Sequence, residues 1–411
     1  MPTTVTPPGL RLVEHEFSVP LDYAKPDAER ITVFAREVAD PDGLDRPLLL
    51  YLQGGPGHEA PRPTAHPSSP GWLERALREF RVLMLDQRGT GRSTPIGTLP
   101  GMTASEQADY LKHFRADSIV RDAECVRHAL SSEPWSVLGQ SFGGLCAVTY
   151  LSNAPEGLRE VFVCGGLGPI GARVDGVYRS TYARVKAAAA AYYERYPEDR
   201  ARVIGLHRSL KRNDVRLPCG DRLTSRRLRQ LGAMLGMSAG AEQLHYILEQ
   251  PFDSPGFLYD VDVQLNFARN PLYVVLHEAC WADGKSTQWS AERMMSSYID
   301  LDPELFTGEH MYPWMFDEYS ALEPLSEAAV LLSTHHWPRL YDPAQLMRNE
   351  VPVATVIYID DMYVPHEHAE QTASLIRGCR SWVTNELQHD GLRTDGERVL
   401  GRLIDMARGR I

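Results

Sequence analysis

The sequence predicts an α/β fold: a mostly parallel central sheet that is flanked by helices and interrupted by a large helical insertion. Short apolar runs, typical of strands buried on both faces of a parallel sheet, alternate with helical patterns up to residue 164. Such runs are missing from about 170 to 340, and the alternation of strand and helix resumes at Val351. We therefore predict a sheet domain of residues 1–168 and 341–411 and a helical domain of residues 169–340.

The individual elements follow from composition and periodicity. Residues 10–40 are rich in β-forming side chains, and the run PLLLYL at 47–52 is almost entirely apolar. Asp117 is the predicted N-cap of a helix with an apolar face. Further strands are predicted at 80–85, 135–138, 160–164, 352–359 and 380–387, and further helices at 145–151, 182–196, 226–235, 366–376 and 394–408.

Composition places the chain among ordinary water-soluble enzymes or binding proteins. Of its 411 residues 43% are hydrophobic and 24% charged, and the net charge of −11 argues against nucleic acid or an anionic membrane as a partner. The first ten residues show no signal peptide pattern, and no apolar run approaches a membrane span. A cytoplasmic protein is the simplest expectation, and the sequence makes no prediction of oligomeric state.

The six cysteines predict neither a metal site nor a disulfide framework. They are scattered without C-x-x-C or other metal-ligand spacing, and the histidines are not grouped at such spacing either. Cys125, Cys146 and Cys164 lie in helix or strand patterns, so we expect them to be buried free thiols. No metal or organic cofactor is expected.

The segment Gly139-Gln140-Ser141-Phe142-Gly143 is a G-x-S-x-G motif between a predicted strand and a predicted helix. In that context the motif is typical of the nucleophile elbow of an α/β-hydrolase, where a sharp turn exposes the serine hydroxyl. A serine hydroxyl needs a base, and the base needs an acid that orients it. Ser141 is therefore the predicted nucleophile.

The acid and the base should follow the serine in the order acid, then histidine. His389 follows the last predicted strand and is the predicted base. Asp360 and Asp361 both follow the strand at 352–359, and we favour Asp361 because a proline stands four residues after it. The glycine-rich loop after the strand at 47–52 should supply a backbone N–H that joins the N–H of Phe142 in an oxyanion hole.

Three segments resemble the signatures of the proline iminopeptidase (prolyl aminopeptidase) family: QGGPG at 53–57, LDQRGTGRS at 85–93 and GQSFGG at 139–144. The resemblance implies an α/β-hydrolase with a helical cap between the sixth and seventh strands, so the sheet domain would be catalytic. It also implies a serine exopeptidase that releases an N-terminal residue, preferentially proline, through an acyl-enzyme intermediate. The substrate would be a peptide with a free N-terminus.

Carried over by residue, the resemblance assigns Ser141 as nucleophile, Asp361 as acid and His389 as base, with Gly55 and Phe142 as oxyanion donors. Gln53 departs from the family, which usually has histidine there. Residues 86–88 (DQR) fit the family, and we expect their charges to form structural ion pairs rather than to act in catalysis.

In the family, glutamates of the cap bind the substrate ammonium. Two glutamates of this sequence lie in matching aromatic contexts. These are Glu278 and Glu309, and the nearby Trp281 and Tyr312 are candidates for an apolar pocket around a pyrrolidine ring. The alternatives are a solvated helix face for the glutamates and the cap's own core for the aromatic residues.

Two other functions fit the same motifs. One is an esterase or amidase for a small molecule, since the fold alone does not fix the substrate. The other is a binding protein without catalysis, against which the complete order of serine, aspartate and histidine argues. Hydrolysis of proline arylamides rather than simple esters would favour the exopeptidase.

Overall fold

The structure, a computed structural model, describes residues 3–130, 133–295, 298 and 305–411. Within these residues nine strands form one sheet, in the order β1-β2-β3-β5-β4-β6-β7-β8-β9. The strands are β1 (Thr3–Val5), β2 (Arg11–Pro20), β3 (Arg30–Ala39), β4 (Leu48–Leu52), β5 (Arg81–Asp86), β6 (Trp135–Gln140), β7 (Leu158–Cys164), β8 (Val353–Tyr358) and β9 (Cys379–Thr384).

The sheet is antiparallel at one edge and parallel elsewhere. Strands β1, β2, β3 and β5 pair antiparallel, whereas β5, β4, β6, β7, β8 and β9 pair parallel. In the parallel part the carboxyl ends of the strands meet at one edge, which is where α/β proteins place their sites. The loops that leave β4, β6, β8 and β9 therefore lie side by side.

Seventeen α-helices accompany the sheet in the described residues. They are α1 (Leu73–Leu77), α2 (Ala104–Leu111), α3 (Ala116–Leu130), α4 (Phe142–Asn153), α5 (Val174–Arg195), α6 (Pro197–Leu210), α7 (Ser225–Arg229), α8 (Gly240–Leu248), α9 (Pro255–Leu265), α10 (Pro271–Leu276), α11 (Ser290–Met295), α12 (Met315–Glu318), α13 (Ser326–Thr334), α14 (Pro343–Met347), α15 (His366–Leu375), α16 (Gly391–Thr394) and α17 (Gly396–Ala407). Short 3₁₀ helices lie at Pro155–Gly157, Gln230–Gly236, Glu278–Trp281 and Glu323–Leu325. None of the helices in the described ranges is long and apolar enough to cross a bilayer.

Both faces of the sheet are covered, which explains the nearly unbroken apolar runs of its strands. Along β4, Leu49 and Tyr51 join an apolar cluster with α1 and α17, whereas Leu50 and Leu52 point to the opposite face and pack with α3 and α4. Alternate residues of one strand thus enter two different cores.

The second of these cores does not end at the sheet. It continues without a break into helices α5 to α13, through residues such as Leu145, Leu167, Val174 and Tyr178. Between β7 and β8 the described residues form helices and contribute no strand to the sheet.

Four details differ from the sequence prediction. The short exposed strand β1 was not predicted, so the interval expected between the sixth and seventh strands runs here from β7 to β8. Helix α3 begins at Ala116, which places Asp117 in its first turn, beside Arg115, rather than at the N-cap. The helix predicted at 226–235 ends at Arg229 and continues as 3₁₀ helix. Cys125 is exposed, whereas Cys146 and Cys164 are buried as expected.

The turn between β6 and α4 holds Ser141 in a strained conformation, with φ 55° and ψ −123°. Its N–H donates to the carbonyl oxygen of Cys164 at 2.9 Å, which ties the turn to the end of β7. A Cβ on Gly139 would lie 2.3 Å from the carbonyl oxygen of Gly143, and one on Gly143 would lie 1.9 Å from that of Leu52. The two glycines are therefore required by close backbone contacts.

The elbow packing predicts that Gly143→Ala lowers the free energy of unfolding by about 3 kcal/mol or more, because neither backbone can yield to the added methyl group. Urea unfolding measures the change. Gly205→Ala is the matched control: this exposed glycine of α6 has no atom near its ideal Cβ. Alanine there should stabilise the helix by up to about 1 kcal/mol. Equal stability of the two variants would contradict the packing argument.

Candidate active site

The structure brings Ser141, His389 and Asp361 together at the carboxyl edge of the sheet. Nε2 of His389 lies 2.9 Å from Oγ of Ser141, and its Nδ1 lies 2.7 Å from Oδ2 of Asp361. The ring of Tyr363 packs edge-on against the imidazole, with centroids 4.7 Å apart. Each side chain comes from a different strand end, since Ser141 follows β6, Asp361 follows β8 and His389 follows β9.

Of the two neighbouring aspartates, Asp361 contacts the histidine. Asp361 is buried, and its second carboxylate oxygen accepts hydrogen bonds from the backbone N–H groups of Tyr363 and Val364 at 2.8 and 2.9 Å. Asp360 is exposed on the other side of the turn. The turn thus fixes the Asp361 carboxylate in the orientation that an imidazole N–H requires.

Charges around His389 favour its protonated form. Burial lowers the pKa of the imidazole, but the carboxylate of Asp361, with a smaller contribution from Glu309, outweighs burial and raises the pKa above its ordinary value. The positive charge of Arg393 lowers the pKa of His389. The ring therefore releases its proton at a higher pH than a free histidine.

Backbone N–H groups lie next to the serine. Phe142 is the first residue of α4, so its N–H belongs to the first turn, which has no acceptor within the helix. Gly55 and Phe142 line one recess together with Ser141. This is the position at which an oxyanion hole would form, as the sequence predicts.

Gln53, which replaces the family's histidine, is held by two hydrogen bonds. The Tyr51 hydroxyl donates to its side-chain oxygen at 2.6 Å, and Nε2 of Gln87 donates to its backbone carbonyl at 2.9 Å. The second bond fixes the start of the glycine loop through the backbone of Gln53 and does not involve its side chain.

The charges of residues 86–88 form ion pairs, although not with each other. Arg62 forms a bidentate pair with the fully buried Asp86: its Nη1 and Nη2 donate to Oδ1 and Oδ2, each at 2.8 Å. Arg88 pairs with Asp122 of α3 at 2.6 and 2.7 Å, with both side chains buried. Both pairs join segments that are distant in sequence, as the structural interpretation predicts.

A cavity of about 560 Å³ opens beside the serine and the histidine. Its wall contains one carboxylate, Glu309, and one guanidinium group, Arg393. Its other lining residues come from both parts of the chain and include polar and aromatic side chains, among them Tyr51, His58, Trp72, Gln230, Phe267, Asn270 and Tyr273. The volume is that of a site for a small ligand.

Comparison with known proteins assigns the family. A family model of the alpha/beta hydrolase fold matches residues 47–392. A proline iminopeptidase of Aeromonas sobria is 49% identical to this chain, and the match covers 97% of each protein. A proline iminopeptidase of Aspergillus aculeatus is 37% identical, over 98% of this chain and 95% of the relative. The chain belongs to the proline iminopeptidase family of α/β-hydrolases.

Of the two glutamates that resemblance to this family singled out, the structure places Glu309 in the cavity. The Tyr273 hydroxyl donates to one of its oxygens, and Nε2 of His277 lies 3.4 Å from the other. Burial raises the pKa of Glu309, but His277 and Tyr273 outweigh it and the pKa is lowered. Its side chain stays 25% exposed, so an anionic carboxylate faces the cavity.

Glu278 is placed differently from the prediction. Its carboxylate accepts hydrogen bonds from the backbone N–H groups of Ser290 and Ala291 at 3.2 and 2.8 Å, at the start of α11. It is buried and is absent from the residues that line the cavity. Burial raises its pKa despite these bonds. A carboxylate used in this way caps a helix, and the aromatic context in the sequence cannot distinguish that use from ligand binding.

The structure also places the two aromatic candidates, Trp281 and Tyr312, in different surroundings. Trp281 lines the recess that contains Ser141 and Glu309. Tyr312 is fully buried, and its hydroxyl lies 2.8 Å from that of Tyr182. Tyr312 therefore belongs to the core of the helical region, which was the alternative interpretation.

Sequence reasoning missed Tyr273 and His277, which hold Glu309, and Arg393. His277 stands directly before Glu278, but nothing in the sequence pairs it with a glutamate 32 residues later. Arg393 lies four residues after His389, on the short helix α16 that begins at Gly391. That spacing was the one available signal.

Within the described part of the chain, Glu198, Asp199 and His245 bring one potential metal-ligand atom each to within 4.8 Å of one another. The central carboxylate of this group, Asp199, already accepts hydrogen bonds from Tyr192 and Arg202 and contacts Nδ1 of His245 at 2.8 Å. These contacts account for the cluster as a structural network between α6 and α8.

The charges around His389 predict that Glu309→Gln lowers the pKa of the imidazole. Removal of an anion that stabilises the imidazolium favours the neutral ring, so deprotonation moves to lower pH. Titration of the His389 ring by NMR measures the shift, with Glu278→Gln as the matched control, because that carboxylate binds backbone N–H groups. An unchanged titration in Glu309→Gln, or an equal shift in both variants, would contradict this electrostatic assignment.

Proposed function

We propose that the protein is a serine exopeptidase that releases an N-terminal residue, preferentially proline, from peptides through an acyl-enzyme intermediate. The observation that carries the proposal is the hydrogen-bonded chain from Ser141 through His389 to Asp361, which borders the same cavity as the Glu309 carboxylate. Proline iminopeptidases similar over 97% and 98% of the chain support the choice of substrate.

The reaction begins at Ser141. With the Nδ1 proton of His389 donated to Asp361, Nε2 accepts the serine proton while Oγ attacks the carbonyl carbon of the first residue. The N–H groups of Gly55 and Phe142 stabilise the resulting oxyanion. The carbon–nitrogen bond then breaks, and Nε2 returns the proton to the leaving amine. Water attacks the remaining ester with His389 again as base, which frees the amino acid and Ser141.

Recognition of the free N-terminus is assigned to Glu309. Its carboxylate has about four acceptor positions, and Tyr273 and His277 engage one on each oxygen. A substrate ammonium in the cavity would complete the set with charge-assisted hydrogen bonds. An acetylated N-terminus offers no charge and brings additional bulk, so it would be rejected.

We further propose that residues 169–340 act as the cap and that the remaining chain is the catalytic domain. The triad side chains lie on loops that leave β6, β8 and β9, whereas Glu309, Tyr273 and His277 lie between β7 and β8. Bond cleavage and recognition of the amine are thus contributed by different parts of the chain.

Ser141→Ala should lower kcat/KM for a proline arylamide by at least about four orders of magnitude, because the nucleophile is lost. Steady-state kinetics measure the effect, and an unchanged unfolding curve serves as the control for folding. Turnover close to that of the wild type in Ser141→Ala would refute the mechanism.

Asp361→Asn should lower kcat by about three to four orders of magnitude, since only this carboxylate holds the imidazole tautomer. Asp360→Asn, its matched control on the same turn, should stay within about twofold of wild type, as expected for an exposed side chain. The reverse ranking would transfer the role to Asp360.

Glu309→Gln should lower kcat/KM for proline arylamides by about tenfold or more, and should leave hydrolysis of a small neutral ester that lacks an amine far less affected. Both substrates are measured at a pH well above the pKa of His389, so that a change in this pKa does not alter the measured rates. Equal losses on both substrates would contradict the assignment of Glu309. Ready cleavage of N-acetyl-proline arylamide by the wild type would favour an esterase or amidase instead.

A further inference from the structure

The cavity wall contains a cation that the mechanism above does not use. Arg393 lies on α16, four residues after His389, and its side chain is exposed to the cavity. Among the described residues it forms no ion pair, in contrast to Arg62, Arg88 and Arg398, which each hold a carboxylate. Its side-chain contact is with Oε1 of Gln140, at 3.5 Å. Most of its five N–H donors are therefore left for other partners.

That contact locates the guanidinium group relative to the nucleophile. Gln140 directly precedes Ser141, and its Oε1 packs against Gly54: a Cβ on Gly54 would lie 2.8 Å from Oε1 and 3.0 Å from the Cβ of Ser141. Arg393 is thus separated from the reacting serine by one side chain. One ligand in this cavity can therefore contact both Arg393 and Ser141.

The cavity lining carries charges of both signs. Beyond burial and Asp361, the next contributions to the pKa of His389 come from Glu309, which raises it, and Arg393, which lowers it. Besides Asp361, the imidazole therefore lies within electrostatic reach of the cavity-lining anion Glu309 and the cation Arg393. A peptide of two or three residues with both ends free carries an ammonium and a carboxylate only a few bonds from its first peptide bond, and it has the complementary charge pattern.

We propose that Arg393 binds the C-terminal carboxylate of short peptide substrates, so that peptides of two or three residues with a free carboxylate are preferred over their amides. The inference rests on the proposed exopeptidase function and adds a carboxylate subsite on the leaving-group side. With the ammonium at Glu309 and the carbonyl carbon at Ser141, the proposal places the remaining residue beside Arg393, which lines the same cavity. A guanidinium suits this task because its planar fork matches a carboxylate.

The experiment compares prolyl-alanine with prolyl-alanine amide, which share the cleaved bond and differ in the terminal charge. Release of proline gives kcat/KM for each, at a pH above the titration of His389, so that a shift of that pKa does not enter. The wild type should prefer the free carboxylate by about fivefold or more. In Arg393→Gln the ratio should fall to about one, and Arg393→Lys should retain part of the preference because it keeps the charge.

Arg398→Gln is the matched control: this arginine lies on α17, outside the cavity lining, and pairs with Glu386 and Asp395. Its ratio should equal that of the wild type. A wild-type ratio near one, or an unchanged preference in Arg393→Gln, would overturn the carboxylate subsite while leaving the exopeptidase proposal intact. Failure of the wild type to cleave either dipeptide or a proline arylamide would instead overturn the proposed function itself.

Discussion

The backbone contact between the elbow and the end of β4 determines where the serine and the glycine loop lie relative to each other. Gly143 approaches the carbonyl oxygen of Leu52 so closely that a Cβ would be 1.9 Å from it. Because β4 and β6 pair in parallel, with Leu52 opposite Gly139, the glycine loop and the serine leave the sheet side by side. The recess shared by Gly55, Ser141 and Phe142 is a direct result of that approach.

Around this contact the site contains two kinds of side chain, those held in place for bond cleavage and those that stay accessible to the substrate. The side chains assigned to bond cleavage are fixed by short hydrogen bonds to backbone or to each other, as the two N–H groups on Asp361 illustrate, and Asp361 and His389 are also buried. The charged side chains assigned to the substrate ends, Glu309 and Arg393, keep part of their surface accessible. Catalytic groups need preorganisation, whereas groups that bind the substrate must remain able to exchange water for a ligand.

The sequence was most informative where function is tied to chain order and strand ends. Ser141, Asp361 and His389 could be singled out because each follows a strand whose carboxyl end must reach the same edge. Glu278 and Glu309 could not be ranked, since both have aromatic neighbours and only tertiary contacts reveal that one caps α11 while the other meets His277. The partners of Asp86 and Arg88 were hidden for the same reason: Arg62 and Asp122 are distant in sequence. The strand β1 was missed because three exposed residues produce no burial pattern.

The apolar core that runs from the sheet into helices α5 to α13 limits the ways in which the specificity of such a protein can evolve. Residues of both parts bury one another, so the helical region is not a module that can be exchanged whole. A transplanted helical region would leave Leu145 and Leu167 without their packing partners and create cavities beside the sheet. New specificity is then reached most readily by single replacements on the cavity wall, which leave that shared interior untouched.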